Sequence, residues 1–411
     1  GADIDIPGEA FVIDGAGKVV MPGIIDTHNA AGMSQANEQA SVVPFLSVVD
    51  SIDPIASYFE ECRRNGITTA SVVPGNSTLI GGKAAIVKTA GAYVNDMLVR
   101  RDSALKLSLR PTSGSRMSQM AQLRKELDAA KKALEKEAEK EAEEKAKAKE
   151  AAKKKDGEKK ESDGKDGEES DDKDGEEEKK ESGDEESKEG ESKAATKGDS
   201  EEKPAEKKDE GLEALKLVVQ GKLPVYIYCQ VAMDVVAANK LVDDYKMDAT
   251  YVLGQECYPA AKMLASKGVT VILDPTLVYW KTNPRTREDE KIELPKIYRE
   301  AGVPFLFQVS DSGRRSTLGT SYFWYQAATA VKYGMSEQEA LAALTLEPAK
   351  LLGLEDRLGS IEVGKEADLV VLTGEPLDIS TWVETTIVDG EVVYRRDEDQ
   401  KLKRLLSPEV E

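Results

Sequence analysis

Val20-Met21-Pro22-Gly23-Ile24-Ile25-Asp26-Thr27-His28 decides how the chain is read. A β-prone start, a Pro-Gly break and then Ile24-Ile25-Asp26 describe a short strand, a turn, and a buried strand that ends in polar residues. Working outward, residues 51–65 carry Ile52, Ile55, Tyr58, Phe59 and Cys62 at three-to-four spacing, the mark of an amphipathic helix. Thr68-Thr69-Ala70-Ser71-Val72-Val73-Pro74 reads as the next strand. Strand, loop, helix, strand at such intervals indicates alternating β/α construction. The alternation returns after residue 211: a helix carrying Leu212, Leu215, Val218 and Val219, a strand at 224–229, a helix at 231–245, a strand at 250–253 and a helix at 259–267. Strands at 269–273 and 304–308 follow, then helices at about 320–333 and 336–346. Both ends are β, at 10–13 and 18–21 and again at 367–372 and 384–394, with Asp389-Gly390 as a hairpin turn signal. β at both ends around a long β/α middle fits a parallel barrel with a small sheet built from the two termini. A doubly wound open sheet is the alternative, but nothing resembles a dinucleotide Gly-rich turn, and Gly81-Gly82 reads as a turn rather than a phosphate cradle.

The charge is unevenly spread. Of the 411 residues, 57 are Lys or Arg and 77 are Asp or Glu, a net charge of −20. Residues 131–210 alone hold 22 Lys and 32 acidic residues and no Val, Ile, Met, Phe, Trp, Tyr or Cys. The rest has the charge density of an ordinary folded protein. The tract starts inside a helical pattern at 117–150 and then loses any apolar face. It reads as an acidic low-complexity insertion, helical at its start and disordered beyond, because it has nothing to bury against its ordering entropy. No apolar run is long enough to span a membrane. An acidic balance without a basic stripe argues against nucleic acid as a partner. Cys62, Cys229 and Cys257 are odd in number and widely spaced, so they outline neither a disulfide framework nor a zinc ribbon. His28 is the single histidine, which caps the imidazole ligands or bases at one.

Three motifs agree in order and spacing: the opening stretch, Met335-Ser336-Glu337-Gln338-Glu339-Ala340-Leu341 followed by Thr345-Leu346-Glu347-Pro348-Ala349-Lys350, and Gly359-Ser360-Ile361-Glu362-Val363-Gly364-Lys365-Glu366-Ala367-Asp368-Leu369. They resemble the first barrel strand, the penultimate helices and the C-terminal return strand of the amidohydrolase superfamily. The resemblance covers residues 10–130 and 211–395 and is closest to the imidazolonepropionase-like branch, which 74–88 and 223–234 also resemble. It implies a (β/α)8 TIM-type barrel at 21–130 and 211–357 and a small β-sandwich at 1–20 and 358–400, with the acidic insertion at 131–210. The N-terminus looks incomplete beside the family, so the sandwich is expected to lack part of its sheet, and the compartment stays open.

The resemblance also implies a divalent metal, zinc or another cation, at the C-terminal ends of the strands. That metal activates water for attack on non-peptide carbon–nitrogen bonds. Its ligands are a His-x-His pair on the first strand, histidines after the fifth and sixth strands, and an aspartate after the eighth that doubles as general base. Here His28 stands at the first position, but the second falls on Ala30, the third on Gln230 with Tyr228 two residues before it, and the fourth on Gln255. Asp311 stands at the position of the aspartate. Alanine has no lone pair to offer, and a glutamine carbonyl is a weak neutral ligand for zinc.

The expectation is therefore a hydrolase fold with a vestigial metal site, holding no cofactor or a weakly bound divalent cation on His28 and Asp311. Such a chain would serve as a pseudoenzyme or binding subunit, partnered by an intact paralogue or a second copy. Two other readings stand beside it. One is an active hydrolase with a single altered metal site on His28 and Asp311. The other is a scaffold recruiting a basic partner through residues 131–210. Each residue also has a plainer reading. His28 and Asp311 are then structural polar groups, Arg314 and Arg315 a solvated pair rather than an anion clamp, and Cys229 and Cys257 small buried residues rather than nucleophiles. In some superfamily members a carbamylated lysine bridges two metals, but neither Lys83 nor Lys88 takes that role on sequence grounds.

Overall fold

The stretch around Pro22-Gly23 folds as two strands, β1 (Val19–Pro22) and β2 (Ile24–Asn29), that enter different sheets. Gly23 is the point of divergence. Its N–H donates to Asp368 O at 2.8 Å, and a Cβ there would lie 2.1 Å from Thr68 Oγ1, so no other residue fits. The computed structural model describes residues 8, 10, 12–110, 114–161, 209–309 and 316–406, with 148–161 and 316–322 described by backbone alone. By its contacts the chain divides into two units, Gly1–Ala133 with Asp209–Glu411, and Leu134–Lys208.

The strands that follow are β3 (Ile67–Val72), β4 (Ile80–Lys88), β5 (Leu98–Ser108), β6 (Val225–Val231), β7 (Ala249–Glu256), β8 (Val271–Ile272), β9 (Val278–Thr282), β10 (Asp289–Glu293), β11 (Phe305–Leu306), β12 (Leu369–Leu372), β13 (Val383–Val388) and β14 (Glu391–Arg395). Between them run α1 (Ser57–Arg64), α2 (Val94–Met97), α3 (Arg116–Glu161), α4 (Glu210–Val219), α5 (Ala232–Tyr245), α6 (Ala261–Lys267), α7 (Leu294–Ala301), α8 (Ser316–Lys332), α9 (Glu337–Ala342) and α10 (Leu346–Leu351), with α11 (Gln400–Leu406) at the end.

Eight strands form one sheet in the order β11-β8-β7-β6-β5-β4-β3-β2. The resemblance implies eight parallel strands, and here the structure differs. β4 runs antiparallel to both neighbours, while every other pair is parallel. The connections explain the reversal: a loop at 73–79 and a segment containing only the four-residue α2 are too short for a crossover helix, so the chain turns back. Among the described residues no backbone ladder joins β2 to β11. The two edges meet instead through side chains, with Thr27 Oγ1 donating to Phe307 O at 3.2 Å and His28 Nδ1 lying 2.8 Å from Gln308 Oε1. Gly81-Gly82 is not a turn but part of β4, where Gly81 lies against the stem of Lys106.

A four-stranded antiparallel sheet, β1-β12-β13-β14, joins the two ends of the chain; among the described residues it is a single sheet rather than a sandwich. Its hairpin turns at Asp389-Gly390, where φ is 50° and 82°, the left-handed pair that suits a two-residue turn. β9 and β10 form a separate hairpin without a counterpart in the sequence reading. The helix expected over 51–65 starts only at Ser57. Pro54 disfavours helical backbone at Asp53, Val48–Asp50 is a 3-10 turn, and Ile55 is exposed.

α3 begins as an amphipathic helix. Leu123, Leu127 and Ala130 are fully buried at spacings of four and three, and Asp128 accepts from Tyr245 at 2.8 Å. In the second unit the helix runs on to Glu161, beyond the expected 150. Ala, Glu and Lys are strong helix formers, and Glu141–Lys145 and Glu143–Lys147 add ion pairs at i,i+4.

Lys88 locks the two sheets together. Its buried ammonium meets Glu366 at 2.7 Å, Asp368 at 2.9 Å and Asp389 at 3.0 Å. Burial opposes the charge, but the carboxylates outweigh it and hold the lysine above its ordinary value. Lys83, by contrast, makes a half-exposed pair with Asp102 at 2.8 Å. Lys88→Met leaves the buried Asp368 carboxylate without its cation and is expected to lower unfolding free energy by about 3 kcal/mol in urea denaturation. Lys83→Met is expected to cost less than about 1 kcal/mol. Equal losses in the two variants would show that the Lys88 cluster does not join the sheets.

Candidate functional site

Asp26 and His28 lie on β2, and Ala30 directly follows it. All three are buried. On β5 the alternation of side chains along a strand sets Lys106 on the face opposite to Leu105 and Leu107 and brings its amine inward, fully buried, to 2.7 Å from His28 Nε2. Gln308, just past β11, completes the group. Its Nε2 donates to Leu273 O at 2.8 Å, which leaves Oε1 to accept. His28 Nδ1, 2.8 Å from that oxygen, therefore carries the ring proton, and Nε2 is the acceptor that Lys106 donates to.

The surroundings keep this imidazole neutral. Burial and the neighbouring Lys106 hold it well below the usual histidine range, against the hydrogen bond to Gln308. The Tyr226 ring packs edge-on against it at 5.6 Å, and its hydroxyl, pushed up to about 12 by burial, donates to Thr27 O at 3.0 Å. Tyr228 lies 5.7 Å from the Lys106 ammonium, ring face toward it.

Asp26 is the other buried titrating group. Tyr58 Oη donates to Oδ2 at 2.9 Å and the His28 amide to Oδ1 at 3.2 Å. Burial pushes its carboxyl up to about 7, against hydrogen bonds from Tyr58, His28, Val309 and Asn29 that favour the charged form.

Gln230 and Gln255 are half-buried at the ends of β6 and β7, and among the described residues no hydrogen bond links either to His28. The Gln255 amide donates instead to Asp274 at 3.3 Å, and the Gln230 backbone N–H donates to Asp234 at 3.0 Å. Asp311, Arg314 and Arg315 lie outside the described residues. Cys229 and Cys257 are buried thiols, both pushed up by burial, with Cys257 Sγ donating to Cys229 O at 3.0 Å; neither is an activated nucleophile.

A divalent metal does not fit the described members of this set. The one imidazole presents its free nitrogen to an ammonium, Ala30 offers no donor, and the two glutamines are neutral, with the Gln255 amide engaged by Asp274. Among the described residues no three His, Cys, Asp or Glu side chains are grouped as a metal would need.

Lys106 and Gln308 were missed in the sequence. The signal for each is a polar residue inside an apolar alternation, Leu105-Lys106-Leu107 and Phe307-Gln308-Val309, which in a curved sheet points to the interior.

Comparison with known proteins agrees with the architecture. The amidohydrolase family profile matches residues 330–394. A solved amidohydrolase from Thermotoga maritima superposes with a TM-score of 0.70 at 25% identity, covering 96% of this chain and 92% of that one. An amidohydrolase of Hapsidospora irregularis, tasK, is 23% identical over 94% of this chain and 37% of its own length. The imidazolonepropionase of Shewanella oneidensis is 35% identical over 26% of this chain and 24% of its own. The chain thus spans well under half the length of these curated relatives. These likenesses support placing it with the amidohydrolase superfamily.

The sign of the Asp26 effect on stability follows from its raised value. An unfolded aspartate titrates near 3.8, so the stability from burying the neutral acid is full below that pH and is lost as pH rises through about 7. Asp26→Asn is expected to flatten the fall in unfolding free energy between about pH 4 and pH 8 in denaturant titrations. An unchanged slope in the variant would place the pH dependence elsewhere.

Proposed function

We propose that this chain is an amidohydrolase-fold protein, of the imidazolonepropionase-like branch, that binds rather than hydrolyses and acts as a non-catalytic subunit. One observation carries the reading: the His28 nitrogen free to take a metal is engaged by Lys106 at 2.7 Å. A metal and an ammonium cannot share one lone pair, and two cations at that separation repel. Without a strong Lewis acid, water keeps close to its bulk pKa and supplies no nucleophile at neutral pH. His28 cannot replace it as a base while its only acceptor nitrogen is occupied. Part-length matches to the imidazolonepropionases support the branch, and the superposition on the Thermotoga structure supports a barrel closed by β2 and β11.

Because the chain has one histidine, its labelled imidazole gives one set of nitrogen resonances. The expected spectrum is a neutral ring protonated at Nδ1, unchanged by equimolar zinc, with metal analysis of the purified chain showing none bound. A zinc-dependent shift of Nε2, with C–N bond hydrolysis that is lost in Asp311→Ala, would overturn the proposal in favour of a single-metal hydrolase.

A further inference from the structure

A cavity of about 980 Å³ lies away from His28 in the same unit, where α8 faces β13, β14 and α11. None of Asp26, His28, Lys106 or Gln308 lines it, so it does not depend on the reading above. Its walls include five aromatic rings: Trp324, Tyr325, Tyr333, Trp382 and Tyr394. The frame is held by specific bonds. Trp324 Nε1 donates to Asn65 O at 3.0 Å, and Tyr394 Oη donates to Asp399 at 3.1 Å.

The lining cations fall into two kinds. Arg64 is bound to Glu61 and Asp399, Lys401 to Glu60 and Glu61, and Lys291 to Glu293. Lys332 and Arg396 have no carboxylate partner among the described residues. Arg396 lies with its guanidinium carbon 4.3 Å from the centre of the exposed Trp382 ring, and Lys332 sits 5.9 Å from that of Tyr333. Facing them is one lining carboxylate outside these pairs, Asp378, which accepts from the Ser380 amide at 2.8 Å and hydroxyl at 2.7 Å. In a chain of net charge −20, two uncompensated cations on aromatic walls mark a local reversal of sign.

We propose that this cavity is a binding site for a small organic anion with a flat apolar body. The rings supply stacking area at little entropic cost, and Lys332 and Arg396 hold the anionic head. The volume is at the upper end of the range for small-molecule sites, and apolar walls with a few placed polar groups are their usual construction. Arg396 is suited to the task because a guanidinium stacked on an indole keeps its edge N–H groups for an anion's oxygens.

The probe is anilinonaphthalene sulfonate, titrated by fluorescence against the full chain, with uncharged phenylnaphthylamine as comparison. Saturable binding of one sulfonate per chain is expected, weakened about tenfold in Lys332→Ala/Arg396→Ala and reduced at about 0.5 M salt. The uncharged dye should bind more weakly to the native chain and respond little to the double substitution. Lys332 is exposed and Arg396 half-buried, and an unchanged melting curve verifies that the variant folds. The salt dependence of the native chain gives an answer even if it does not. Binding that does not saturate, that the double variant retains in full, or that the uncharged dye matches would overturn the proposal.

Discussion

The imidazole of His28 is held from both sides, its Nδ1–H given to Gln308 and its Nε2 taken by Lys106. These two bonds tie β2, β5 and the segment after β11, which are not neighbours in the backbone ladder. Every participant is buried, so each polar atom must find its partner inside the protein or forfeit its hydration without return. Gln308 has the central part: by donating to Leu273 O it fixes which way its own amide points, and hence which histidine nitrogen carries the proton. The edges of the curled sheet are joined at this level by side chains, a closure that rests on a few polar contacts.

The reversal of β4 supports that arrangement from the other side. An antiparallel β4 lays Gly81 against Lys106 and leaves space for the lysine stem, while its far end delivers Lys88 to the carboxylates that attach the four-stranded sheet. One strand thus serves two buried lysines in opposite roles. Lys88 is a charge compensated by acids across a joint between sheets. Lys106 is a donor set against an imidazole where the superfamily places a metal. Both are fixed by register, since a shift of one residue along β4 would turn a side chain toward Lys106 and take Lys88 from its partners.

The superfamily's chemistry depends on a cation that polarises water at the strand ends. In this chain a cation is present at the first-strand histidine, but it is the protein's own, and an ammonium donates hydrogen bonds without accepting a ligand. An ammonium here engages the imidazole nitrogen opposite the one bound by Gln308, and the buried polar groups satisfy one another. The aromatic cavity beside α8 has the opposite character, open and lined by two cations, Lys332 and Arg396, that have no carboxylate partner among the described residues.

Much was legible in the chain itself. The β/α alternation, the Asp389-Gly390 turn, the start of α3 and the family motifs at both ends are local patterns, written in residues close in sequence. That one histidine cannot fill four ligand positions was equally plain from composition. The reversal of β4 was not legible, since connection length shows its consequence only once the strands are paired. The unexpected hairpin of β9 and β10 and the late start of α1 also depended on how neighbours pack. Above all, His28 was read as a remnant, and its actual partners are 78 and 280 residues away in sequence. The sequence by itself determined that a four-histidine metal centre cannot form, because composition bounds coordination. Only the tertiary structure decided what replaced it, because Lys106 and Gln308 meet the imidazole only when the sheet curls and removes all three from water.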